Sequence, residues 1–214
     1  MKLFIANKNY SSWSMRPWLA ARSAGIPFEE EMVWLRQPET PALIRARSPN
    51  GRVPALIDGD LVVFESIAVL EYLAELAPGL WPQDRAARAH ARSICAEMHA
   101  GFVPLRNRCS MNMKRAPAPI ALDADVEANV DRIVAMWTDC RTRFGAGGDF
   151  LFGAFGNADA MYAPVVSRFH SYGVPVPPGV RAYMDAVMAT PAWLEWEAAA
   201  LAETQVIAET DAIC

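Results

Sequence analysis

Every strand signal in this chain lies before Pro78. Up to that point short apolar runs alternate with amphipathic stretches, and beyond it only helical patterns occur. A chain divided in this way cannot continue one sheet through its length. It predicts a small α/β layer joined to an all-helical layer.

Residues 3–6 form an apolar run suited to a buried strand, and residues 7–14 are polar and turn-like. A helix is expected over about 14–24, stopped by Gly25 and Pro27. Pro17 is tolerated in its opening turn, where helix amides have no intrahelical acceptors. Residues 31–35 read as a second strand, and 38–47 as a short helical or irregular stretch ended by the turn Ser48-Pro49-Asn50-Gly51. Residues 54–57 and 61–64 flank Asp58-Gly59-Asp60, a hairpin signature. Over 66–77, Ile67, Leu70, Tyr72, Leu73 and Leu76 fall at helical spacing. The predicted order is β-α-β-α-β-β-α. Pro78-Gly79-Leu80-Trp81-Pro82 marks the expected boundary, giving a first domain at 1–78 and a helical domain at 84–214. Helical blocks are expected near 84–113, 123–144, 157–172, 179–189 and 191–203.

With 53% hydrophobic and 21% charged residues, the 214-residue chain is too apolar for disorder and too interrupted by charge for a membrane protein. Its net charge of −4 argues against nucleic acid, whose phosphates demand a basic face. Cys95, Cys109, Cys140 and Cys214 make no closely spaced pair and are expected to be free thiols in a reducing compartment. No metal site is expected. The first residues lack a signal-peptide pattern and no apolar run is long enough to span a bilayer, so the expectation is a soluble, cytoplasmic protein.

Three places offer chemistry. Tyr10-Ser11-Ser12-Trp13-Ser14-Met15-Arg16 sets several hydroxyls where the first strand meets the first helix. A helix N-terminus carries unpaired N–H groups and partial positive charge, so it stabilises an anion such as a thiolate. Serines there also simply cap helices. Arg52-Val53-Pro54 leads into a strand, where a proline often marks a cis peptide that re-aims the preceding backbone toward a ligand. The alternative is an edge-strand proline. Glu65-Ser66 opens the third helix. Ser66 can donate to a carboxylate and Glu65 can accept from an ammonium, a pairing suited to an amino-acid head group, with plain capping as the alternative.

The blocks Ser48-Pro49-Asn50-Gly51-Arg52-Val53-Pro54-Ala55-Leu56 and Phe64-Glu65-Ser66-Ile67-Ala68-Val69-Leu70-Glu71-Tyr72-Leu73 resemble those of the glutathione S-transferases. The resemblance covers nearly the whole chain and implies a thioredoxin-like N-terminal domain followed by an all-helical one. Ser11-Ser12-Trp13-Ser14-Met15-Arg16 is similar to the Ser-Ser-Cys-Ser-x-Arg pattern of the serine-type zeta class. It implies a thiol-activating role for Ser11, with Ser12, Tyr10 and Ser14 as rivals, and it sets Trp13 where that class has cysteine. The family further implies that Glu65 and Ser66 grip the γ-glutamyl end of glutathione, that the Val53 backbone before Pro54 pairs with the cysteinyl unit, and that Arg52 meets the glycyl carboxylate.

The implied function is transfer of glutathione, as cosubstrate, to an apolar electrophile by a homodimeric protein. A maleylacetoacetate-type isomerase and a non-enzymatic glutathione-binding protein are the alternatives. Met98, Met111, Met113 and Phe102 are candidates for lining the electrophile site or for the core. His90, His99 and His170 read as packed or surface side chains. Gly156-Asn157-Ala158-Asp159 resembles the family's capping box, with glycine in place of its hydroxyl.

Overall fold

The computed structural model describes residues 1–213, so Cys214 lies outside the described residues. The sheet has the order β2-β1-β3-β4. Strand β1 (Lys2–Ala6) runs parallel to β2 (Glu29–Val33) and antiparallel to β3 (Ala55–Asp58), which pairs antiparallel with β4 (Leu61–Phe64). A parallel pair needs a crossover, here α1 (Ser12–Ser23); α2 (Thr40–Arg45) links β2 to β3, and α3 (Ser66–Leu76) follows β4. This is the thioredoxin-like layer. The helical layer contains α4 (Arg85–Ala100), α5 (Val103–Arg108), α6 (Ala124–Phe144), α7 (Asn157–Ser171), α8 (Pro178–Met188), α9 (Pro191–Ala202) and the short α10 (Ala208–Asp211). Among the described residues beyond Pro78, strand character is limited to the isolated bridges Phe150–Gly153 and Phe152–Ala154.

Helix α1 joins the two layers. Met15, Trp18 and Leu19 are fully enclosed, with α3, α7 and α9 packed around them. It starts at Ser12 rather than Ser14, which moves Pro17 to its sixth position, beyond the free amides. The proline therefore removes an internal hydrogen bond, and the burial of the helix holds it together. Strand β2 sits two residues earlier than expected because it is the sheet edge. Its exposed Glu29 and Glu30 carry no apolar signal, and backbone pairing with β1 sets its register. The expected block at 84–113 is broken at Gly101 and Phe102. Phe102 has φ +62°, in the left-handed region, and Pro104 then opens α5.

Buried Asp159 anchors the start of α7. Its Oδ1 accepts the Leu151 amide at 3.1 Å and its Oδ2 the Gly156 amide at 2.9 Å. The glycine at the cap has a packing cause. A Cβ on Gly156 would lie 2.7 Å from the Leu80 carbonyl oxygen, in the segment that links the two layers. Gly156→Ser, although it restores a hydroxyl cap, is therefore expected to destabilise the protein by about 1–3 kcal/mol, read as a lowered midpoint in urea unfolding. An unchanged or raised midpoint would remove the steric explanation.

Cys95, Cys109 and Cys140 are free and buried. Among the described residues no cluster of His, Cys, Asp and Glu is arranged to hold a metal, and no helix is long and apolar enough to cross a membrane.

Candidate functional site

The N-termini of α1 and α3 face a cavity of about 560 Å³. Its wall includes Ser11, Ser12 and Trp13 from α1 and its cap, Arg52 and Val53 from the approach to β3, and Glu65 and Ser66 at the start of α3. Of Ser11, Arg52, Val53, Pro54, Glu65 and Ser66, the residues expected to activate or grip glutathione, only Pro54 is off the wall. It lies buried behind it, joined to Val53 by a cis peptide bond.

The two helix starts are built differently. Ser11 is the N-cap of α1 and accepts the Ser14 amide at 3.4 Å. Its hydroxyl lies 2.7 Å from the Ser14 hydroxyl, which accepts the Ala6 amide at 3.0 Å. Ser14 is wholly buried and away from the cavity. At α3 the cap is Glu65, held at φ +69° and ψ 126°, a strained conformation for a residue with a Cβ and one that costs about 1–3 kcal/mol. Asn50 steadies it by donating to Glu65 Oε1 at 2.9 Å. The same Asn50 accepts the Ser48 hydroxyl and the Arg52 amide, so the Ser48-Pro49-Asn50-Gly51 turn and the Glu65-Ser66 pair form one unit.

Ser66 is 1% exposed, lines the cavity, and its hydroxyl has no partner. A buried hydroxyl without a partner costs about 1–3 kcal/mol. With the first amides of α3, which have no intrahelical acceptors, it forms a donor set directed at an anion.

Tyr10 also lines the cavity, but its hydroxyl is committed elsewhere. It donates to the Asp211 carboxylate at 3.0 Å and accepts the Ile207 amide at 3.2 Å. Burial raises its pKa, opposed by the Ile207 amide and reinforced by Asp211. Met98, Met111 and Phe102 are buried in the core and Met113 packs against it; none of them is on the wall.

His99, read from sequence as packed or surface, is on the wall, with its Nε2 3.6 Å from Glu65 and its ring edge-on to Trp13 at 5.3 Å. Burial lowers its pKa, opposed by the Glu65 carboxylate and reinforced by Arg16 and Arg106. His90 instead faces Asp139, and His170 is exposed.

Two guanidinium groups off the wall pack against the Trp13 indole, Arg16 at 4.2 Å and Arg106 at 4.6 Å from its ring centre. Arg16 donates to the Met161 carbonyl at 3.1 Å. Burial holds Arg16 well below its ordinary pKa, with Arg106 and Arg168 adding repulsion. This concentration of positive charge favours an anion near Trp13. Only Arg16 of the three lies within a sequence pattern that pointed to the site. Arg106 meets the Trp13 ring from α5, and Arg168 is held by the Arg106 and Cys109 carbonyls.

Two family models match the chain: the glutathione S-transferase N-terminal domain over residues 10–76 and the glutathione S-transferase C-terminal domain over residues 123–186. Among curated proteins, the chain is 35% identical over 98 residues to a probable maleylacetoacetate isomerase of Caenorhabditis elegans, covering 45% of each chain. It is 40% identical over 96 residues to glutathione S-transferase theta-1 of Mus musculus, covering 43% of this chain and 39% of that one. These matches span less than half the length of either relative. Among solved structures, a glutathione transferase homologue from Burkholderia with bound glutathione superposes with a TM-score of 0.70 at 24% identity, covering 94% of this chain and 98% of that one. A bacterial zeta-class maleyl pyruvate isomerase gives 0.67 at 24% identity, covering 93% and 98%. These two likenesses concern the fold.

Proposed function

The chain belongs to the glutathione S-transferase family, and from that premise we propose that it binds glutathione in the cavity between α1 and α3 and activates its thiol for attack on an electrophilic carbon. The observation that carries the reading is the buried, unpartnered Ser66 hydroxyl sharing one cavity with Ser11 at the opposite helix N-terminus. The γ-glutamyl carboxylate takes the Ser66 hydroxyl and the first amides of α3, and its ammonium takes Glu65. The Val53 backbone pairs with the cysteinyl unit and Arg52 meets the glycyl carboxylate. In this reading residues 1–78 hold the tripeptide, and the helical domain at 84–214 contributes His99 and the electrophile side.

Ser11 then meets the sulfur. The Ser11 hydroxyl donates to Ser14, which also accepts the Ala6 amide. Hydroxyl protons rotate freely, so when the thiolate is bound Ser11 turns to donate to it and Ser14 donates to Ser11. Lowering the thiol pKa by two units needs about 2.7 kcal/mol. One hydrogen bond to a charged sulfur supplies about 1.5–3 kcal/mol, and the α1 terminus adds to it. The thiol proton passes to solvent and the thiolate forms a carbon–sulfur bond. In a displacement the leaving group departs with its electron pair, and in a conjugate addition the resulting enolate takes up a proton. Trp13, Leu35 and Ile44 line the cavity with apolar surface from residues 1–78, and His99 borders it from the helical domain.

A glutathione-dependent cis–trans isomerase is the second reading, favoured by the Ser11-Ser12-x-Ser14-x-Arg16 pattern and by the similarity to a probable maleylacetoacetate isomerase. The assay that separates them follows free glutathione during turnover of an activated aryl halide and of a cis-enone. Stoichiometric loss with the halide supports transfer; turnover of the enone with glutathione conserved supports isomerisation; neither, with tight binding, leaves a non-enzymatic binding protein. The family reading also carries a homodimer, a cytoplasmic location and a role in detoxification. Glu65→Gln is expected to weaken glutathione binding about tenfold or more by losing the charge opposite the ammonium, with turnover at saturation changed far less. Equal losses in both would move Glu65 from binding to activation.

A further inference from the structure

The residues just ahead of Ser11 are held from the far end of the chain. Glu203, 9% exposed, follows α9 and directs its carboxylate at two consecutive amides: Oε1 accepts that of Lys8 at 2.5 Å and Oε2 that of Asn9 at 3.0 Å. Gln205 donates to the Leu35 carbonyl at 2.6 Å and accepts from the Asn7 side chain. Asp211 receives the Tyr10 hydroxyl and, at 2.9 Å, the Asn112 side-chain amide. Each residue from Asn7 to Tyr10 is thus bonded to the segment at 203–211. The Asn7 carbonyl in turn accepts the Ser11 amide at 2.9 Å.

We propose that Glu203 is a positioning residue for Ser11, with residues 203–211 acting as a harness that fixes the loop of residues 7–11 so that the Ser11 hydroxyl meets the sulfur. The inference rests on the thiol-activating role given to Ser11 above. The chemistry of Glu203 fits the task. A carboxylate offers only acceptors to two neighbouring donors, whereas an amide would set its own NH₂ against one of them. Burial raises the Glu203 pKa, opposed by the Asn9 and Lys8 amides and by the ammonium groups of Lys8 and Lys114. Among the described residues no hydrogen bond ties Val53, Glu65 or Ser66 to this segment. A displaced loop would therefore alter the sulfur contact and leave the tripeptide grip in place, and an error of about 1 Å at a reacting group is costly.

The test titrates enzyme-bound glutathione by thiolate ultraviolet absorbance in the full chain, as wild type, Ser11→Ala, Glu203→Gln and Asp211→Ala. The last removes an exposed side chain and decides alone if Glu203→Gln does not fold. The harness predicts a bound pKa raised by about one unit, turnover near neutral pH lowered about tenfold, and glutathione affinity within about twofold of wild type. Folded variants that keep the wild-type pKa, even at lower stability, overturn it, as do variants that lose affinity instead. If Ser11→Ala raises the pKa and the harness variants do not, only the positioning role fails. If the wild-type pKa is not depressed, or Ser11→Ala leaves it depressed, the role of Ser11 fails and takes the harness with it.

Discussion

Ser11→Ala is expected to raise the pKa of bound glutathione by about two units and to lower turnover near neutral pH by up to about a hundredfold. The magnitude follows from removing one hydroxyl donor to a charged sulfur at a site with few replacements. Ser14 is buried beyond reach and Tyr10 is bound to Asp211 and Ile207. Ser12 lies on the wall one residue along, and Ser12→Ala is expected to change the bound pKa far less. Ser11 is also the α1 cap, so its loss costs stability as well, about 1 kcal/mol. That cost is small because the capping contact is long, 3.4 Å. The two effects separate by measurement, since thermal unfolding reads the cap and thiolate absorbance reads the activator. A wild-type pKa equal to that of free glutathione would move the binding-protein reading ahead.

Asp159→Ala is the larger perturbation to folding, with an expected loss of about 3 kcal/mol or more. It leaves the amides of Leu151 and Gly156 without an acceptor at the start of α7, and each orphaned buried donor costs about 1–3 kcal/mol. Urea unfolding of wild type and variant reads the difference directly, and a loss below about 1 kcal/mol would show that the amides find other partners.

Asp159 also predicts a pH dependence. Burial raises its pKa from the usual 3.8 to about 6, against the lowering effect of the Leu151 and Gly156 amides. A carboxyl raised on folding favours the folded state most below its unfolded pKa, and that contribution is lost as pH climbs through about 6. Stability attributable to Asp159 should fall between about pH 4 and 6, and Asp159→Asn should flatten that slope. A slope that persists in Asp159→Asn assigns it to other groups.

Much of this architecture is written in short stretches of chain. The Asp58-Gly59-Asp60 hairpin, the Ser48-Pro49-Asn50-Gly51 turn and the Glu65-Ser66 helix start are local devices, governed by φ preferences and by groups a few residues apart. They survive intact in the structure, and Asn50 unites two of them. Local signals stop where neighbouring chain decides. Edge strand β2 begins with the exposed Glu29 and Glu30, which carry no apolar signal, and α5 is capped by a left-handed Phe102 that no local propensity favours.

The sequence by itself determined the order of elements, the change from sheet to helices near Pro78 and the local motifs at 48–56 and 64–73, because turn chemistry and hydrophobic period act over a few residues. Only the tertiary structure decided that Ser11, Ser12 and Tyr10 line the cavity while Ser14 is buried away from it. Ser11, Ser12, Ser14 and Tyr10 are near-equivalent as letters, and what separates them is side-chain direction on α1 and the capture of Tyr10 by a residue 201 positions away. The same holds for His99 and Glu203. Their contacts depend on how α4 and the chain end pack against the sheet layer, and hydrogen bonds across that distance leave no local pattern to read.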